Sequence, residues 1–206
     1  MAVAGSPPVE KDAIISMGKK TLQVRGSTVA AARLYSDPHK GTPEYAGFLA
    51  ELTPAEREFY ESKIKRSHWY EVSLYNGMLS KAAQHLGAGR EEEYLSNGGR
   101  FVVDDGVNSL YKAFFKIASP GFVLRGSALM WRMFFKGSKL KITTSGKGYA
   151  NAHITGPNRC YLPLCISIRG GMKRSLEHGG ARQVQVTHHK CRSSGGERCE
   201  FHFTWS

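Results

Sequence analysis

His188-His189-Lys190-Cys191-Arg192-Ser193-Ser194-Gly195-Gly196-Glu197-Arg198-Cys199 decides how the C-terminal third of the chain is read. Before it, Val184, Val186 and His188 alternate with polar residues. After it, Cys199, Phe201, Phe203 and Trp205 alternate almost to the last residue. Strict period-two patterning on both sides of a Gly-Gly turn is the pattern of a β-hairpin. Such a hairpin returns the chain on itself, so Cys191 and Cys199 can approach across the ladder. A histidine just before Cys191 adds an imidazole. Cys160 and Cys165 lie on the segment before, 158–178, which is largely apolar at helical spacing and stops at Gly179-Gly180. Packed on the hairpin, that helix can bring one of its two thiols to the same place. Three or four Cys and His donors form a closed tetrahedral set of the structural-zinc kind. A buried free cysteine is equally at home as plain core, and this spacing is not one of the short Cys-x-x-Cys pairs.

Upstream, Leu140, Ile142 and Thr144 alternate, Ser145-Gly146-Lys147-Gly148 turns, and the chain returns through Tyr149 to Ile154, which predicts another hairpin. The first two thirds are mostly helical. Thr53-Pro54-Ala55-Glu56 carries a capping signature, and a helix is expected from there to about Lys65. Leu74, Tyr75, Met78, Leu79, Ala82 and Leu86 recur at three and four, giving a helix over 70–86 that Gly87 stops. Glu91, Glu92 and Glu93 suit the positive end of the next one. Residues 106–118 and 121–135 read as two more. Residues 19–35 read as a strand or hairpin around Arg25-Gly26-Ser27, and Ser36–Gly41 as a loop. Pro163 and Gly170-Gly171 weaken the helix over 158–178. The expected class is α+β: helices packed on one antiparallel sheet, with a C-terminal hairpin-helix-hairpin. Residues 1–12 form a tail, and 13–206 form one domain without repeat or linker.

The 206 residues are 41% hydrophobic, enough for one sizeable core. No run approaches the roughly 18 apolar residues needed to cross a bilayer, and the start of the chain lacks a signal peptide, so a cytoplasmic location is expected. The net charge of +12 sits almost entirely in the second half. Between Gly106 and Leu176 there are 12 Lys and Arg and no acid. That field suits nucleic acid, a nucleotide or another polyanion, and equally suits simple solubility. Arg125 and Arg132 sit seven apart on one helix face. With Lys139 and Lys141 they are the candidate anion-binding residues. No P-loop, nucleophile elbow, His-Glu-x-x-His or dinucleotide fingerprint is present, so the chain is expected to be a non-enzyme. A small enzyme would use Cys160, whose thiol pKa the neighbouring Arg159 can lower, or His153.

The tail Cys191-x7-Cys199-x-Phe201-x-Phe203 resembles the C-terminal signature of 4-vinyl-reductase-type small-molecule-binding domains. That superfamily includes the sensor domains of phenol-responsive activators and the TRAPP tethering subunits. The resemblance implies a zinc ion held by Cys165, His188, Cys191 and Cys199, with His189 as the alternative to His188. It also implies an apolar ligand pocket between helices and sheet, lined by Tyr111, Phe114, Trp131, Phe134 and Phe135, and homodimerisation through helices. A ligand-sensing or adaptor domain follows, bound to a small apolar or aromatic molecule or a regulatory protein. The heme-based nitric oxide sensors are distant relatives of that family. They require a Tyr-x-Ser-x-Arg element, and Tyr60-Glu61-Ser62-Lys63-Ile64 ends in isoleucine, so the heme reading fails at the sequence level.

Overall fold

Thr53 accepts a hydrogen bond from the Glu56 backbone N–H, and the Glu56 carboxylate accepts one from the Thr53 backbone in return. This capping box starts α3 (Pro54–Glu61). The computed structural model describes residues 21–106, 119–156 and 160–206. Within them the remaining helices are α1 (Gly26–Ser36), α2 (Pro43–Glu51), α4 (Val72–Leu86), α5 (Glu91–Gly106), α6 (Pro120–Phe134) and α7 (Leu162–His178). The expected tail over 1–12 and the helix over 106–118 fall outside the described residues, apart from Gly106, which ends α5. No described helix is long and apolar enough to cross a membrane.

The strands form two antiparallel sheets, not one. A small sheet places β1 (Gln23–Arg25) between β2 (Trp69–Glu71) and β3 (Phe135–Lys136). The larger sheet has the order β4-β5-β7-β6, from β4 (Lys139–Gly146), β5 (Tyr149–Thr155), β7 (Cys199–Thr204) and β6 (Gln185–Lys190). Along β5 and β7 every second residue is buried, so Ala150, Ala152, Ile154, Cys199, Phe201 and Phe203 share one face. The small sheet is invisible in the sequence because its strands are two or three residues long, too short for alternation to register.

Residues 19–35 depart from the expected strand or hairpin. The strand stops at Arg25 and a helix begins at Gly26. Only glycine fits there: a Cβ would lie 2.1 Å from the Lys65 carbonyl oxygen. The Gly26 and Ser27 N–H groups, which a helix start leaves orphaned, donate to the His68 and Arg66 carbonyls. Gly170 and Gly171 also act differently from the expectation. They do not break α7; they let it cross α5 at backbone contact. A Cβ on Gly170 would fall 2.0 Å from the Ser96 oxygen, and one on Gly99 would fall 1.8 Å from the Ser167 oxygen. Arg100 with Glu177, and Asp104 with Arg174 and His178, tie the same pair together at 2.6–2.9 Å. Pro163, near the start of α7, costs that helix nothing, since its missing N–H would be unpaired there anyway.

Candidate functional site

Among the described residues two places carry chemistry, and α7 belongs to both. The first is a group of thiols. Cys160 precedes α7, and Cys165 sits in its first turns, its N–H bonded to the Tyr161 carbonyl at 3.0 Å. Cys191 follows β6. The chain then makes a short 3-10 turn over Arg192–Ser194, passes Gly195 in the left-handed region (φ 88°), and starts β7 at Cys199. Left-handed backbone favours glycine, which is why the turn closes here. Cys199 is registered opposite Ile154 of β5, which fixes it facing α7.

The four sulfurs lie within 4.8 Å of one another. Cys160 and Cys165 are 3.0 Å apart, Cys160 and Cys199 3.5 Å, and Cys165 stands 3.8 Å from both Cys191 and Cys199. Three are buried and Cys191 is half-buried, with the Ser193 hydroxyl 2.9 Å from its sulfur. Hydrogen bonds from Cys165, then from Cys199, push the Cys160 thiol well down from the usual thiol range, and a contact from the Tyr161 N–H adds to this. Cys165 must keep its proton to make its bond to Cys160, so its thiol is pushed up, and burial reinforces that.

Cys165, Cys191 and Cys199 are therefore gathered as the sequence spacing suggests, but His188 is not with them. Its ring stacks on Phe201 at 4.3 Å between centroids, nearly parallel, and its buried Nε2 has no hydrogen-bond partner among the described residues. The register slips between His188 and Lys190, and His188 is left opposite Phe201. His189 is exposed and lies near the His202 ring. Cys160 takes the fourth place. The signal is in the sequence: two cysteines five apart at a helix entrance, one on each side of the first turn.

The second place is a cavity of about 140 Å³ between the helices and the buried face of the larger sheet. Val102 and Val103 of α5, Leu124 of α6, Ala152 of β5, Ile168 of α7 and Phe203 of β7 are among its walls. Trp131, Phe134 and Phe135 line it as well. Tyr111 and Phe114 lie outside the described residues. A few hydroxyls interrupt the apolar surface. Tyr75 is fully buried, and burial drives its phenol pKa upward, partly offset by a hydrogen bond with Ser167. Thr28 Oγ1 is buried on the same wall and has no hydrogen-bond partner among the described residues. No histidine, cysteine, lysine or arginine is among the described residues of the lining.

Of the candidate anion-binding residues, Arg125 borders a second, open pocket together with Lys147 and Trp205. Arg132, Lys139 and Lys141 are exposed and do not line that pocket.

No protein-family model matches the chain, and no curated protein sequence does. Solved structures do. An H-NOX protein from S. oneidensis in the Fe(II)NO state matches with a TM-score of 0.66 at 13% identity, over 88% of this chain and 99% of that one. An unliganded Fe(II) H-NOX protein from K. algicida matches at 0.64 and 9%, over 88% and 96%. An oxygen-binding H-NOX domain related to soluble guanylate cyclases, in its oxygen complex, matches at 0.60 and 9%, over 88% and 95%. Two expectations are corrected by these matches. The 4-vinyl-reductase resemblance, read from a short hairpin pattern, gives way to a different likeness that spans nearly the whole chain. Zinc, read from the Cys and His spacing and from that resemblance, goes with it: the matched proteins are described by Fe(II) and oxygen ligation states. The fold of this chain is the one shared by these H-NOX proteins.

Proposed function

We propose that the chain is a non-enzymatic ligand-sensing domain that takes a small, mainly apolar molecule bearing one hydrogen-bonding group into the cavity beneath α6 and α7. The observation that carries this is the cavity itself, with its apolar walls and the Thr28 hydroxyl, which has no hydrogen-bond partner among the described residues. Ligand sites are apolar pockets with a few convergent polar groups. A cavity of about 150 Å³ accepts benzene or xenon, which sets the size of the guest. A buried hydroxyl without a partner costs roughly 1–3 kcal/mol, so a guest that supplies the missing hydrogen bond is favoured over one that does not. The fold supports the same reading, since the matched H-NOX proteins are described with nitric oxide or oxygen bound.

Heme, which that fold implies, does not fit the residues present. An iron porphyrin needs an axial donor such as histidine or cysteine and is far larger than the cavity. The described lining offers no histidine or cysteine and no cation for the propionates; its Tyr75 hydroxyl is engaged by Ser167, and its thioethers, Met130 and Met172, have no histidine beside them to share the iron. Residues 107–118, outside the described set, contain no histidine or cysteine either. The sensing proposed here is therefore heme-free, and hemin added to the purified protein is expected to leave its free absorption spectrum unchanged.

Phenol and its isostere toluene test the reading. At saturation phenol is expected to raise the melting temperature by about 5–10 °C, and toluene by less. In Ala152→Phe, which fills the cavity from the β5 wall, both shifts should vanish. In Thr28→Val the difference between the two probes should close. No shift with either probe, or an undiminished shift in Ala152→Phe, would overturn the proposal.

A further inference from the structure

We infer that the open outer face of the larger sheet binds single-stranded nucleic acid, with bases stacked on rings of the two central strands and phosphates met by lysines of the two edge strands. The cavity lies against the opposite face of the same sheet, so the two sites are separate.

Register defines this face. Residues that alternate with the buried set of β5 and β7 point away from the helices. One row across the four strands is Lys141, His153, Glu200 and Lys190. The next is Thr144, Asn151, His202 and Thr187, and the third is Gly146, Tyr149, Thr204 and Gln185. The order β4-β5-β7-β6 therefore puts the rings of Tyr149, His153 and His202 in the middle and the lysines at both edges.

The rings are held for stacking. A Cβ on Gly146 would fall 2.3 Å from the Tyr149 ring, so that ring lies across the bare glycine, and Tyr149 is still 45% exposed. The His202 Nδ1–H donates to Asn151 Oδ1 at 2.7 Å, and the Asn151 amide donates to the Thr144 hydroxyl at 2.6 Å. Open four-stranded sheets read single-stranded RNA through rings placed in this way. Stacking tolerates any base, because every base has a π-face.

Charge selects the same partner. Glu200 is the one acid in the four strands, and it is taken by Arg198 at 2.8 Å and Lys190 at 3.6 Å. Lys139 and Lys141 are exposed on β4 with no acid of the sheet left to pair them. The face carries no aliphatic side chain to bury in a lipid surface. A duplex hides its base faces, and its major groove admits a helix or a two-stranded ribbon, not a four-stranded sheet.

Fluorescently labelled 12-nucleotide oligothymidylate and oligouridylate are the probes, with anisotropy as the readout on the full chain. Binding of at least one is expected, weakening about 20-fold or more over a tenfold rise in salt, the slope of two neutralised phosphates. Tyr149→Ala should weaken it by about 5-fold or more, and Tyr149→Phe, which keeps the ring, should bind as the parent does. Lys139→Gln with Lys141→Gln should flatten the salt slope by about 1.4. Lys63→Gln with Lys65→Gln removes the same charge from the stretch between α3 and β2 and should leave the slope unchanged. No binding of either strand at low salt overturns the inference. So does a 12-base-pair duplex that binds as tightly as the single strands, or an undiminished affinity in Tyr149→Ala. Binding to phosphatidylserine vesicles without binding to either oligonucleotide overturns it in favour of a lipid surface.

Discussion

Two glycines set the distance between the longest helices. Gly99 and Gly170 each face a backbone oxygen across the α5–α7 crossing, closer than any Cβ tolerates. A backbone carbonyl cannot rotate away as a flexible side chain would. Gly99→Ala or Gly170→Ala is therefore expected to destabilise the fold by about 1–3 kcal/mol or more, through forced separation of the helices. Chemical denaturation measures this, and a change within about 0.5 kcal/mol would refute the close approach. Glycine in a helix weakens the sequence-level prediction of that helix, which is why these positions read as a break. What reverses their meaning is a partner far along the chain, and no local window contains it. Cys160 illustrates the same limit. Its spacing from Cys165 is legible, but choosing between it and His188 needs the register slip in β6.

At the scale of single elements, the sequence is legible where a cap or a long period exists. The Thr53–Glu56 box and the hydrophobic face of α4 are both plain in it. Thr53→Ala should cost about 1 kcal/mol, because the Glu56 N–H loses its acceptor. A urea midpoint that does not move would show the cap to be redundant. The α2 helix carries the same signal, a capping threonine followed by proline at Thr42-Pro43, and its side-chain cap to the Tyr45 N–H forms. It is hard to see in advance because the helix has only nine residues, too few turns for periodicity to stand out. The β1 strand is shortened by tertiary contact, since Gly26 enters a helix only where Lys65 and His68 stand ready to meet it. Both long hairpins are legible from alternation as pairs of strands. The pairing of β5 with β7, which sets the order of the sheet, is not.

Over the whole molecule, charge placement makes a prediction about acid. Burial raises the cost of charge on Asp104, yet hydrogen bonds from Arg174 and His178 outweigh it and hold its carboxyl below the usual range. Glu177 behaves alike, with Arg100 and Arg174 overcoming its burial. A carboxylate whose folded pKa lies below its unfolded value of about 4 stabilises the fold fully above that value. The contribution fades as pH falls through the lower folded value. Stability should therefore drop below about pH 4, and Arg174→Met should flatten that dependence. An identical acid slope in the variant, read from denaturation at stepped pH, would exclude the network as its cause. Asp104 and Arg174 are 70 residues apart in sequence, so the net charge is visible from composition but its pairing is not.

Helix α7 gives its Cys165 to the thiol group, while Leu164, Ser167, Ile168, Gly171, Met172 and Leu176 face the cavity. One helix thus forms a wall of both places. Thermodynamic reciprocity then fixes the two together: whatever factor a change at the thiols imposes on filling the cavity, filling the cavity imposes on that change, without any moving hinge.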